Sequence, residues 1–167
     1  MDNQFHNFIP LVSYPETKTL IEIDKLKFKK PFELKGFLDF VHETGMSDLQ
    51  EKFTQTFDMS PTTCLDLGWH LYGEAYERGA FMVKIREILR NQGIAETSEL
   101  PDHLTHILAI LPGLSEKDRI VFIEKYIQPA LTKILDGFGE TENPYKIAIQ
   151  YLSDRFNENI SLNDGEN

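Results

Sequence analysis

The sequence predicts an all-α protein, a single-domain bundle of about eight or nine short helices. Three observations predict it. Apolar residues recur at spacings of three and four along nearly the whole chain. Prolines and glycines punctuate that pattern at helix starts and stops. The best strand candidate, Thr19 to Ile23, is explained equally well by a helix. A chain of 167 residues suits one such domain, which buries roughly 70% of the surface of its unfolded chain.

Each element has its own signal. Phe5, Phe8, Ile9 and Val12 make one apolar stripe. Pro15 opens a second short helix. Pro31 opens a segment through Phe32, Leu34, Phe37, Leu38 and Val41, which Gly45 ends. Ser47 then caps a helix carrying Leu49, Phe53 and Phe57 at i, i+4 and i+8. Ser60-Pro61 starts a segment from Thr62 to about Tyr72, interrupted by Gly73, with Gly79 a little further on. From Ala80 to Asn91, Phe81, Met82, Ile85, Ile88 and Leu89 share a face, and Gly93 is the stop. After a polar linker, Ala95 to Leu100, Pro101 opens a helix with Leu104, Ile107, Leu108 and Leu111, ended by Pro112-Gly113. Ser115 followed by Asp118 resembles a capping box with a shorter acid. Lys117 to Phe138 is helical, with a break or kink at Pro129. Pro144 opens the last helix, through Tyr145, Ile149, Leu152 and Phe156. Residues 1–156 are thus expected to form the helical domain, and 157–167 a polar tail that frays.

Composition narrows the function classes. The formal net charge of -10 repels phosphate backbones, so a nucleic-acid partner is not expected. The same charge attracts a basic peptide or a basic protein face. The cluster Lys25, Lys27, Lys29, Lys30 and Lys35 stands out against it and reads first as a solvated face. Cys64 is the only cysteine, which excludes an internal disulfide and a cysteine-built zinc site. The first residues carry an acid and no basic run, and their apolar stretch is broken by Pro10, unlike a signal or transit peptide. No window of about 20 apolar residues exists to span a membrane. A cytoplasmic location is expected.

Catalytic patterns are sparse. The chain has no glycine-rich phosphate loop, GxSxG elbow or HExxH motif. Cys64 reads as a small buried helical residue rather than a nucleophile. Asp102, His103 and His106 have spacing that suits metal ligands, and equally suits a helix start with Asp102 near the positive end of the dipole. His70, between Trp69 and Leu71, reads as a core or groove histidine.

Three segments carry a resemblance. They are Leu11-Val-Ser-Tyr-Pro-Glu16, then Asp48 to Asp58 leading into Leu67-Gly-Trp-His-Leu-Tyr-Gly-Glu-Ala-Tyr-Glu-Arg-Gly-Ala-Phe-Met-Val83, and Gly93 followed by Glu99-Leu-Pro-Asp-His-Leu104. In this order and spacing they resemble the NarJ-type chaperones, the nitrate reductase delta subunits, part of the redox-enzyme maturation group that includes TorD and DmsD. The similarity runs from about Phe8 to Leu152. Where that family often shows His-x-His-Gly, this chain has His70-Leu-Tyr72-Gly73.

The resemblance implies an all-helical, non-enzymatic protein with no cofactor of its own. It implies binding to the N-terminal segment of a molybdoenzyme's catalytic subunit, which is held ready for the molybdenum–guanine dinucleotide cofactor before membrane docking. Read from the residues, the site would be an apolar groove for a helix or extended peptide. Its candidates are Trp69, His70, Tyr72, Glu74, Glu77, Arg78, Met82, Asp102 and His103. Tyr76 and Phe81 join the aromatic wall. Arg78 is expected to pair with a carboxylate, with Gly79 allowing close approach; Glu74 and Glu77 meet basic client residues; Asp102 and His103 form a polar rim. Two other classes fit the same residues: a permanent small helical subunit of a redox complex, and a metal-dependent enzyme using Asp102, His103 and His106. Short hinges between the helices also permit a homodimer.

Overall fold

The computed structural model describes the backbone of residues 3–164 and the side chains of residues 4–161. Helices follow one another through short connections, with longer ones at residues 59–66 and 92–103. A 3-10 helix, Asn3–Val12, places Phe5, Phe8, Leu11 and Val12 in the core. It leads into α1 (Thr17–Lys25), so the residues with strand-like composition are helical. A 3-10 turn, Pro31–Leu34, opens α2 (Lys35–Glu43). Next come α3 (Met46–Phe53), α4 (Leu67–Tyr72), α5 (Tyr76–Asn91), α6 (Leu104–Ile110), α7 (Glu116–Phe122), α8 (Gln128–Phe138) and α9 (Pro144–Asp164). No strand occurs among the described residues, only one isolated antiparallel bridge, Asp66 with His103.

Packing rather than propensity holds these helices. Most have fewer than 12 residues, too few to persist alone in water. α6 buries Leu104, His106, Ile107, Leu108 and Ile110 against the N-terminal 3-10 helix and α5. α9 packs on α8 and α2. Tyr145, at its start, meets Phe37, Phe53 and Phe57 at ring separations of 5.4, 5.6 and 5.1 Å. That cluster explains the spacing of Leu49, Phe53 and Phe57. α3 continues there as a π turn, Thr54–Asp58, with Met59 N–H donating to the Thr54 carbonyl. A second π turn, Ile123–Ile127, joins α7 to α8 just ahead of Pro129. Proline has no N–H and crowds the preceding turn, and the wider turn accommodates it.

Several expected boundaries shift. Gly45 rather than Ser47 precedes α3. Residues 61–66 are a turn and bridge, not the first part of a helix from Thr62, and Cys64 is half-buried in that loop. Gly79 lies inside α5. Pro101 stands in a turn, and His103 is the N-cap of α6. Ser115 caps α7 as expected, its hydroxyl accepting from Asp118 N–H at 3.1 Å. The helix begun by Pro144 continues through residues expected to fray, as far as Asp164, with Ile160 against the core. Residues 165–167 of the expected tail lie outside the described residues.

Candidate functional site

The nine candidate residues divide into a buried ionic knot, an aromatic wall and an exposed acidic edge. The knot begins with two backbone bonds. Leu67 N–H donates to Asp102 carbonyl at 2.9 Å, and Leu104 N–H donates to Leu65 carbonyl at 2.8 Å. They set Asp102 beside the first turn of α4. Arg78, in the first turn of α5, donates from Nε to Asp102 Oδ2 at 2.9 Å and lies 3.5 Å from Asp66 Oδ2. Its guanidinium also sits 5.9 Å over the Trp69 ring. Trp69 Nε1–H donates to the Pro61 carbonyl at 2.9 Å.

Asp102 is fully buried, so it forms no rim. Gly68 makes this approach possible. A Cβ there would collide with Asp102 Oδ2 and lie 3.2 Å from Phe81. Gly79, expected to have that role, has open space around its Cβ position. Asp66, the second carboxylate of the knot, is held up at a pKa of about 6 by burial and by the charge of Asp102.

His103 also departs from its expected rim position. It is 7% exposed, and Nδ1 accepts from Thr105 N–H at 3.3 Å and from the Thr105 hydroxyl at 2.8 Å. Burial, with a smaller repulsion from His106, pushes its pKa down to about 4. The imidazole is therefore neutral near pH 7 and does not act as a switch there. His106 is committed through both nitrogens. Nε2 accepts from Thr97 N–H at 3.0 Å, and Nδ1–H donates to the Leu100 carbonyl at 2.8 Å. Asp102 Oδ2 is tied to Arg78 and Asp102 Oδ1 is buried without a partner, and no group of three metal-ligating side chains is assembled among the described residues. His70 Nε2 lies 2.6 Å from the Cys64 carbonyl and 3.6 Å from its sulfur. Burial raises the Cys64 thiol and lowers the His70 imidazole, the opposite of what a thiolate–imidazolium pair needs.

Tyr72 packs on Phe81 at 5.9 Å, and Phe81 on Tyr126 at 4.9 Å, with Phe122 beside them. Met82 is half-buried, while Glu74 and Glu77 are exposed. Between the two acids, Tyr76 is 89% exposed, and one face along, Val83 is 56% exposed. Tyr76, Gly79, Ala80 and Val83 share a helical face of α5 and are all exposed. Of this stripe, only Tyr76 was expected in a groove; the surface here is open. Two clefts lie elsewhere, one of about 490 Å³ beside Ile147 on α9 and one of about 270 Å³ between the N-terminal 3-10 helix and α1, neither lined by any of the nine candidates.

A family model described as nitrate reductase delta subunit matches residues 27–138. The knot, the aromatic wall and the α5 stripe lie inside that range; the Leu11 to Glu16 segment and α9 lie outside it. Two curated proteins, both the nitrate reductase molybdenum cofactor assembly chaperone NarJ, from Escherichia coli strain K12 and from Escherichia coli O157:H7, are each 30% identical over 106 residues, 63% of this chain and 44% of theirs. The chain thus spans less than half the length of the curated relatives it matches. No helix among the described residues is long and apolar enough to cross a membrane. With well over half of its residues inside the matched range, the chain belongs to the nitrate reductase delta subunit family.

Proposed function

We propose that this protein is a non-catalytic, cytoplasmic assembly chaperone for a nitrate-reductase-like molybdoenzyme. It binds the N-terminal segment of the catalytic subunit and holds that subunit open for molybdenum cofactor insertion before membrane docking. Family membership and the relatives' description as cofactor assembly chaperones support the reading. The observation that carries the binding mode is the exposed stripe Tyr76 to Val83, edged by Glu74, Glu77 and Glu87. An amphipathic client segment would lay its apolar side on the stripe and its basic residues against the acids. Tyr72, Met82 and the edge of Trp69 widen the contact. Arg78, Asp102 and His103 act from beneath by fixing where α4 and α5 begin, and His70 steadies the loop at Cys64.

The test is calorimetry with a synthetic peptide matching the N-terminus of the organism's nitrate reductase catalytic subunit. Wild type should bind, and Tyr76→Glu with Val83→Glu should weaken binding on the order of a hundredfold while leaving the thermal melt unchanged. Undiminished binding by that variant sinks the site, and no heat with wild type sinks the client. The family description names a subunit, which keeps a permanent subunit in view. Recovery with the mature enzyme at a fixed ratio would favour that role over a chaperone, which accompanies only the cofactor-free form.

A further inference from the structure

The lysine cluster has no part in peptide binding at α5. Two of its members are occupied: Lys35 pairs with Asp39, and Lys30 lies 2.5 Å from Glu158. Lys27 and Lys29 are exposed and line a cleft of about 210 Å³ between the N-terminal 3-10 helix, the loop after α1, and α9. Three aromatic rings wall it. Phe8 and Phe28 both stand edge-on to Tyr151, at 6.0 and 6.1 Å. Asn7 adds a side-chain amide to the lining.

Below the rings lies Arg155, only 3% exposed. One terminal nitrogen reaches Glu33 at 2.6 Å and Glu158 at 3.1 Å, and the guanidinium sits 4.8 Å over the Tyr151 ring. Its Nε has no acceptor among the described residues. Glu33 and Glu158 are taken up by Lys30 and Arg155, and neither carboxylate lines the cleft with Lys27 and Lys29. The cleft keeps a surplus of positive charge in a chain whose formal net charge is -10.

We propose that this cleft is a binding site for a small phosphate-bearing molecule, with Lys27 and Lys29 on the phosphate and Phe8, Phe28 and Tyr151 around a short apolar stem. A phosphate brings a charge of about -1.5 to -2 and three acceptor oxygens, which matches two free ammonium groups better than a single carboxylate does. The volume is below the roughly 300 Å³ at which drug-sized pockets begin. It therefore suits a headgroup and a stem, not a whole nucleotide. Arg155 is covered and paired with Glu33 and Glu158, so it holds the Tyr151 ring beneath the site while the lysines make contact and supply the charge. Exposed lysines lose much of their attraction to salt, so affinity falls as ionic strength rises. Of the lining residues, only Lys27, Phe28 and Lys29 fall within the family match, so the site does not depend on the chaperone reading.

Phenyl phosphate titrated into the full chain, followed by amide chemical shifts at low salt, tests the site. Saturable shifts should centre on residues 7–8, 27–29 and 151. Inorganic phosphate should bind on the order of tenfold more weakly, for want of the stem. Lys27→Gln with Lys29→Gln should weaken phenyl phosphate on the order of tenfold or more. Asn7→Asp, which places a negative charge in the lining without disturbing the core, should do the same with an unchanged melt. Equal affinity in either variant overturns the proposal, as do equivalent shifts with chloride at matched ionic strength. Binding only to phosphatidylglycerol vesicles, and not to phenyl phosphate, would overturn it in favour of a lipid surface.

Discussion

His103 allows one pH effect to be isolated, because its cap can be kept while its titration is removed. In His103→Asn the amide oxygen can still accept from Thr105 N–H, the bond Nδ1 now takes at 3.3 Å. The wild-type imidazole has its pKa pushed down to about 4 in the folded protein, mainly by burial. In the unfolded chain it is about 6.5. The unfolded state therefore binds more protons between those values, so stability falls as pH drops through that window. The full effect is about 3 kcal/mol, and about 2 kcal/mol of it is lost by pH 5. Asp66, held up at about 6, contributes the opposite slope, but in both proteins, so it cancels in the difference. At pH 8 the variant should be less stable by about 1–2 kcal/mol, because the ring's volume leaves a gap. At pH 5 that deficit should vanish or reverse. Urea denaturation at both pH values reads the difference directly. Parallel stabilities from pH 5 to 8 would refute the claim that a buried, neutral His103 limits acid tolerance.

Two further substitutions probe the knot. Gly68→Ala places a methyl against Asp102 and Phe81 and should cost about 1–3 kcal/mol in urea denaturation, where a normal midpoint would mean the carboxylate approaches from elsewhere. Asp66→Asn should stabilise the protein by about 1–2 kcal/mol at pH 7.5, since ionising a carboxyl held at about 6 opposes folding there. That gain should shrink as pH falls through 6 and disappear by about pH 3, where the carboxyl is protonated in both states; a variant less stable at pH 7.5 would show instead that the Arg78 contact dominates.

The bundle was legible because its helices bury regular stripes. Leu104, Ile107, Leu108 and Leu111 lie on one face in the sequence and are all buried in the fold. What escaped the pattern depends on partners distant in the chain. Residues 62–66 carry helical spacing, but Leu65 carbonyl and Leu67 N–H bond to Leu104 and Asp102 instead. Asp102 looked like a surface acid because its partner Arg78 lies 24 residues away. Gly68 was read as one residue of a motif, though its missing Cβ admits the carboxylate. The polar run after Phe156 hid a continuing helix, in which Ile160 supplies an apolar contact with the core.

A buried Arg78–Asp102 pair adds little net stability, because desolvating both charges offsets most of their attraction. Its effect is positional. Asp102 is held by the bridge at residues 65–67 and 102–104, and Arg78 belongs to the first turn of α5. The pair therefore fixes the start of α5 relative to α4 and α6, and with it the direction in which Tyr76 and Val83 present their exposed side chains. A surface meant for another polypeptide loses less entropy on binding when it is already ordered. Asp102, which the sequence suggested for the rim of a groove, and Arg78, expected to pair with a carboxylate, would thus serve the proposed recognition from inside. In the proposed function they would hold the apolar stripe in place, while Glu74 and Glu77, exposed at the surface, would supply the charge a basic client meets.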